Sequence, residues 1–134
     1  MISQQDLLRI ARARLADAEV LLERKRYDGA VYIVGYAIEA ALKARTCKTL
    51  KWIGFPETRK DFENFTSFRT HNLGVLLTLS GREQTIKDRY LSDWSNVATW
   101  EPERRYRRIG SASKSDAESM INSTKIILKA IWKS

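Results

Sequence analysis

Two stripes of apolar residues at helical spacing, joined by almost no connecting chain, constrain the fold of this sequence most. The first stripe lies between Ser3 and Lys25, with members three or four positions apart: Leu7, Leu8, Ala11, Leu15, Ala18, Leu21 and Leu22. The second stripe follows Asp28 and comprises Val31, Val34, Ile38, Ala41 and Leu42. Because only Arg26-Tyr27 separates the two, the sequence predicts an antiparallel helical hairpin that buries both stripes together.

Two residues of the second helix have predicted roles in packing. Asp28 is expected to cap the helix, since a carboxylate accepts hydrogen bonds from the first free amides. Gly35 is expected to let a neighbouring helix approach closely because it has no side chain.

The sequence predicts shorter helices and loops in the second half of the chain. The period is lost over residues 50–70, an irregular connection rich in aromatic residues. A short helix is predicted from about Asn72 to Leu79, ended by Gly81, and a longer one from about Glu83 to Ala98. No stretch shows sustained two-residue alternation, which argues against a sheet.

A polar loop and a helix-capping motif predict where the last helix begins. Residues 101–114 form an Arg-rich loop, and Ser115 and Glu118 have the spacing of a capping box that opens a final helix. The sequence thus predicts an all-α protein in one domain over residues 1–134. Its four long helices and one additional short helix close into a bundle.

The charge balance favours anionic partners. The chain has 24 Lys and Arg against 16 Asp and Glu, a formal charge of +8, and half of the excess lies in residues 101–134. Cys47 is the only cysteine, so a disulfide framework and a multi-cysteine metal site are excluded, and no cofactor is expected. No apolar run approaches the roughly 20 residues of a membrane span, and no secretory signal is recognisable, so we expect a cytoplasmic protein.

Several short motifs, in the right order, resemble those of the HEPN family, named for higher eukaryotes and prokaryotes nucleotide-binding. Residues 14–19 (RLADAE), 26–30 (RYDGA) and 35–44 (GYAIEAALKA) are similar to the first two helices of that family. Residues 69–73 (RTHNL) resemble the step that opens its third helix, and Arg105-Tyr106 resembles the Arg-Tyr step before its last helix.

The resemblance implies an up-and-down helical bundle, commonly a homodimer, often encoded beside a minimal nucleotidyltransferase in a toxin–antitoxin or defence pair. Many family members are metal-independent ribonucleases that carry an Arg followed, after four to six residues, by a His. Here the only histidine is His71, and the positions at that distance before it are Asn64, Phe65 and Thr66. The ribonuclease motif is absent, so the sequence leaves enzymatic activity open.

Two clusters are predicted to bind phosphate. His71 is the one side chain whose ordinary chemistry allows proton transfer near neutral pH, and with Arg69 it precedes the short helix, where free backbone amides favour an anion. The alternative is that His71 or Asn72 only caps that helix. We expect this cluster to flank a groove shared with the second one.

The second cluster lies in the loop and consists of Arg104, Arg105 and Tyr106 with two further arginines. An aromatic ring between guanidinium groups can stack on a base while the arginines bind phosphate. The alternative is a solvated loop in which Glu101 and Glu103 pair with the arginines. The resemblance points to Arg105 and Tyr106.

Other notable residues have structural interpretations. Glu39 and Lys43, four apart, are expected to form a local salt bridge. Cys47 is expected in the core. The four tryptophans are expected in core or interface packing, although Trp100 borders the Arg-rich loop and could cover a bound base.

The function predicted from these features is nucleotide or RNA binding, as one component of a pair with a minimal nucleotidyltransferase. One alternative is a divergent ribonuclease toxin in which His71 meets Arg69 or Arg105 across a dimer axis. Another is a non-catalytic interaction subunit that docks a second protein through the aromatic connection of residues 50–68.

Overall fold

The computed structural model describes residues 1–133 and shows a helical bundle, which confirms the all-α prediction. The helices are α1 (Gln4–Glu23), α2 (Tyr27–Leu50), α3 (Leu73–Leu79), α4 (Glu83–Arg89), α5 (Leu91–Val97) and α6 (Lys114–Trp132). The bundle is built from α1, α2, the consecutive pair α4 and α5, and α6, with α3 as the additional short helix. Two short 3-10 helices lie in the connections, at Thr66–Phe68 and Pro102–Tyr106.

The predicted hairpin of α1 and α2 is present. Ser3 caps α1 by accepting a hydrogen bond from the Asp6 amide at 3.1 Å, and α1 buries Leu7, Ala11 and Ala18 against the rest of the bundle. Lys25 turns the chain with a left-handed backbone, φ 61°, so that α2 returns along α1. The two stripes share one core.

The centre of the bundle is α2, which is covered by α1, α3 and α6. Of its 24 residues, 13 are buried, and Cys47 among them is fully enclosed, as predicted. Burial raises the pKa of the Cys47 thiol, which keeps the group protonated. The Arg45 guanidinium donates to the carbonyls of Ile131 and Trp132 at 3.4 Å each, so the carboxyl end of α6 is held beside the carboxyl end of α2.

The predicted helix over residues 83–98 is broken at Tyr90, which has φ −132° and ψ 29°. Ile86 and Trp94 are both buried, one in α4 and one in α5. In one straight helix, side chains eight residues apart would point about 80° away from each other. The break lets both face the core.

Two predicted caps are wrong in position. Asp28 lies inside the first turn of α2 and does not cap it, because its carboxylate accepts hydrogen bonds from the distant amides of Gly110 and Ala112. The capping box at α6 consists of Ser113 and Asp116, not of the expected pair two residues later. The bond to Ala112 holds the chain extended just before Ser113, so the helix begins at the next residue.

A small sheet that joins the start of the chain to the aromatic connection was not predicted. Strand β1 (Ile2–Ser3) pairs antiparallel with β2 (Gly54–Phe55), in register Ile2 to Phe55 and Ser3 to Gly54. Pairs of two-residue strands are too short for an alternating pattern to show. The sheet and the buried Phe55 and Phe62 attach this connection to the bundle.

Within residues 1–133, no helix combines the length and apolar character that crossing a bilayer requires. The longest helix, α2, interrupts its apolar residues with Asp28, Glu39 and Lys43.

Gly35 permits a close approach, although the neighbour is a side chain and not the predicted helix. A Cβ built at Gly35 would lie 2.0 Å from Cε2 of Trp100, whose indole covers the glycine and is 3% exposed. Atoms cannot approach so closely, so any side chain at position 35 must displace the indole.

We therefore expect Gly35→Ala to lower the free energy of unfolding by about 1–3 kcal/mol through overpacking. Gly29→Ala is the matched control in the same helix, because a Cβ there meets Leu21 at an ordinary 3.4 Å. The measurement is urea denaturation of both variants followed by circular dichroism. Equal stability of the two variants would contradict the packing argument.

Candidate functional site

The solvent-facing side of α2 is a strip of polar and aromatic residues that touches both predicted clusters. Asp28, Tyr32, Tyr36, Glu39 and Lys43 follow at steps of four, four, three and four, which places them on one side of the helix. We call this set the α2 strip. It runs from the Arg-rich loop at one end to His71 at the other.

His71 is held by a buried carboxylate. Its Nδ1 and Glu39 Oε1 are 2.5 Å apart, and Glu39 is 7% exposed although it is acidic. The predicted pair with Lys43 is also present, with Nζ 3.6 Å from Glu39 Oε2. Since a carboxylate accepts and does not donate, Nδ1 carries a proton in this contact, and in the neutral imidazole Nε2 is then an acceptor. A buried carboxylate needs such partners to offset its desolvation.

His71 does not cap the short helix. The cap of α3 is Asn72, whose Oδ1 accepts from the Val75 amide at 3.0 Å. The alternative interpretation, in which His71 or Asn72 caps this helix, is therefore correct for Asn72 and wrong for His71. The seven-residue α3 is also too short to offer a separate anion site, so any anion here depends on side chains.

Arg69 and His71 line the same cavity, about 410 Å³ in volume. Its wall also contains Lys43 and three aromatic rings, Phe55, Phe62 and Phe68. The Arg69 guanidinium lies 6.0 Å from the centre of the Phe62 ring, and Lys43 Nζ lies 5.4 Å from that of Phe55. Cationic groups beside aromatic faces suit a ligand that has both phosphate and a flat ring.

The second cluster surrounds the other end of the α2 strip. Arg104 and Arg105 line a cavity of about 190 Å³ together with Tyr32 and Asp28. Arg105 lies over the Tyr106 ring, 4.6 Å from its centre, and donates to the carbonyl of Pro102 at 2.9 Å. Tyr106 itself is 76% exposed and does not line this cavity.

The arginines of this loop are not neutralised by the neighbouring glutamates. The ion pairs found in residues 1–133 do not include Glu101 or Glu103. The pairing that the alternative interpretation expected is therefore absent among the described residues, and the choice between a solvated loop and a ligand contact stays a prediction. Arg105 and Tyr106 are exposed, so the positive charge of the loop faces solvent.

Trp100 is a core residue, 3% exposed, and it lines a cavity of about 320 Å³ with Arg104 and Arg107. Its Nε1 donates to the carbonyl of Tyr32 at 3.0 Å, and its ring packs against Tyr36 with centroids 4.8 Å apart. The indole thereby fixes the middle of the α2 strip from below.

Tyr36 stands between the two clusters. Burial, aided by the hydrogen bond with Tyr32 at 3.2 Å, raises the pKa of Tyr36 to about 12. The charge of Glu39 also raises this pKa, and that of Arg105 lowers it. The phenol is therefore neutral near pH 7.

The predicted residues thus form two cavities along one strip. Tyr32 and Lys43, which mark the two cavities, are eleven residues apart on α2, or about 16 Å along its axis. The two clusters line separate cavities and not the single groove expected from the sequence; what they share is one face of α2. Sequence reasoning did not assign Tyr32, Tyr36, Lys43 and Glu39 to the site, although their regular spacing on α2 was a visible signal.

Asp28 anchors the Arg-rich loop. Its carboxylate accepts from the amides of Gly110 at 2.6 Å and Ala112 at 2.9 Å, and Gly110 adopts a left-handed backbone with φ +87°. The Gly110 bond, followed by that of Ala112, lowers the pKa of Asp28 below its ordinary value of 3.8.

The two hydrogen bonds from Gly110 and Ala112 to the Asp28 carboxylate are called the Asp28 clamp. Because the pKa of Asp28 is lower in the folded than in the unfolded protein, the clamp stabilises the loop at pH values above the unfolded pKa. This stabilisation is lost as pH falls through the folded pKa. We expect the amide chemical shifts of Gly110 and Ala112 to titrate together with an apparent pKa below 3.8. NMR titration measures this. The transition should vanish in Asp28→Asn and persist in Asp17→Asn, and its persistence in Asp28→Asn would contradict the clamp.

Comparison with known proteins agrees with the motifs. A family model, that of the HEPN domain, matches residues 4–52, which contain α1, α2 and the turn between them. No curated protein and no solved structure matches the chain. The matched segment also carries the α2 strip on which both cavities depend. Residues 4–52, the helical hairpin at the centre of the fold, are therefore similar to the HEPN domain, as the motifs predict.

Proposed function

We propose that the protein binds RNA, or the phosphates of a nucleotide, along the α2 strip by electrostatic attraction and base stacking, with no bond made or broken. The observation that carries this proposal is the alignment of two cation-lined cavities on one helix face. The match of residues 4–52 to the HEPN domain model supports a function related to nucleotides or RNA.

The chemistry of the cavities favours a strand over a single nucleotide. Arg105 and Arg69 lie at opposite ends of the strip, near Tyr32 and Lys43 respectively, which are about 16 Å apart along the axis of α2. A single-stranded RNA can contact both ends, whereas a mononucleotide occupies one. Exposed Tyr106 and the aromatic wall of the larger cavity offer stacking surfaces that tolerate any base.

The proposal extends to the rest of the chain and to its partners. The HEPN-like domain continues beyond residue 52 through α6, since α6 packs along α2 and completes the core. We further propose that the protein acts as a homodimer beside a minimal nucleotidyltransferase, as one component of a toxin–antitoxin or defence pair. The support for this part is the family alone.

A second candidate function, a divergent metal-independent ribonuclease, is favoured by one contact. The bond between His71 Nδ1 and Glu39 orients the imidazole and leaves Nε2 able to take a proton from a ribose hydroxyl. Arg69 lines the same cavity and could stabilise the negative charge that develops on the phosphorane oxygens.

Removing one arginine from either cavity is expected to weaken RNA binding. Arg69→Ala and Arg105→Ala should each lower the affinity for a short single-stranded RNA about tenfold. Each should also reduce the slope of log affinity against log salt concentration by about one. Fluorescence anisotropy at several salt concentrations measures both quantities. Lys87→Ala is the matched control, because this exposed lysine of α4 lines neither cavity.

Equal losses in Lys87→Ala would show that the net charge of +8 attracts RNA without a site. An unchanged affinity in both arginine variants would overturn the proposal.

A cleavage assay separates the two candidate functions. Binding alone predicts that labelled RNA stays intact at saturating protein, in the wild type and in His71→Ala. Gel electrophoresis of the RNA measures this outcome. Cleavage that disappears in His71→Ala while RNA affinity is retained would replace the binding function with the ribonuclease.

A further inference from the structure

An apolar cleft lies between α1 and α6, outside the two cavities of the α2 strip. Its volume is about 640 Å³. The half-buried side chains along its walls are Leu8 and Leu15 of α1 and Leu128 and Trp132 of α6. Ala11 and Ala41 form its floor, and both are buried.

The cleft exists because large side chains flank small ones. α1 runs antiparallel to α6, and the Glu19–Lys125 ion pair at 3.3 Å joins them at one end of the cleft. The alanines below leave a trough along the two helices. Three leucine side chains and an indole that stay partly in water at one place form a surface that another apolar face can cover.

The rim of the cleft is basic. Lys125 and Lys129 lie one turn apart on α6, about 6 Å along its axis, Lys133 follows at the end of the helix, and Arg12 lies on the α1 side. The ion pairs found in residues 1–133 leave Arg12, Lys129 and Lys133 without an acidic partner. The cleft therefore combines an apolar floor with positive edges.

We propose that this cleft binds an acidic amphipathic helix of a partner protein. Two helices with a trough between them form the groove into which a third helix fits, with apolar anchors at positions i, i+3, i+4 and i+7. Carboxylates placed one turn apart on the flank of that helix would match the row of lysines on α6.

The row of lysines decides between this occupant and two others. A fatty acid has one anionic group, which would engage one lysine and leave the others unmatched. A second copy of this chain also carries a charge of +8, and its own helices mix acidic with basic residues, so it does not complement a basic rim. An acidic helix uses both the length and the charge of the cleft.

The test uses the full chain and a synthetic 18-residue amphipathic peptide with leucines on one face and glutamates one turn apart on the flank. We expect saturable binding by fluorescence anisotropy of the labelled peptide. Lys129→Glu/Lys133→Glu should weaken this binding by about tenfold, because the rim then repels the glutamates. These lysines are exposed, so the fold tolerates the change.

Lys60→Glu/Lys114→Glu is the matched control, since it changes the net charge equally at exposed positions outside the cleft. It should leave peptide affinity unchanged. A peptide with lysines in place of the glutamates, and one with serines in place of the leucines, should both fail to bind.

Three results would overturn the proposal. The first is equal binding of the acidic and basic peptides, or no effect of the rim charge reversal. The second is binding of dodecanoate with no binding of the acidic peptide. The third is a dimer, seen by sedimentation, that the rim variant dissociates. RNA affinity of the rim variant, expected to be unchanged, separates this proposal from the function of the α2 strip.

Discussion

The burial of α2 on every side but one is the constraint on which the rest of the structure depends. Small residues let its neighbours approach: Ala30, Ala37 and Ala44 are fully enclosed, and Gly35 lies under the indole of Trp100. A helix so covered has only a narrow strip that can face a ligand. The chemistry of the protein is therefore limited to the side chains on that strip and to the connections that pack beside it.

Glu39 is the residue of the α2 strip that positions His71 and Arg69. A carboxylate that is 7% exposed is costly unless it is paired, and its two partners are Lys43, one turn away, and His71, from the chain before α3. The second contact attaches an irregular segment to the central helix. Arg69, two residues earlier, is thereby placed beside the aromatic wall. A polar interaction, and not regular secondary structure, positions this half of the site.

The α1–α2 hairpin, the short α3 and its end at Gly81 could be predicted, because each depends on local spacing or on the left-handed backbone of one glycine. The break at Tyr90 could not be predicted, because it depends on the position of the core and not on the local sequence of the helix.

The same limit applies to the site. Arg69, His71, Arg104 and Arg105 were recognised as residue types, and they do line cavities. Their partners on α2 were missed because the contacts join residues far apart in sequence, as Glu39 and His71 are. The misplaced cap at Asp28 has the same cause, since its carboxylate serves the loop 82 residues away. Local patterns report which groups are present, and tertiary packing decides which of them meet.

A net positive charge does not define one kind of partner, because the ligand that a cationic surface binds also depends on the uncharged residues beside it. Along the α2 strip the cations stand next to aromatic rings, at Phe62 and Tyr106, and this pairing suits bases and phosphates. Around the α1–α6 cleft the cations stand above leucines and alanines, where a flat, polar base would gain little and an aliphatic face would gain much. Both surfaces rest on α2, one beside Lys43 and the other above Ala41. A single buried helix thus supports two surfaces that share a sign of charge and differ in the ligand they can bind.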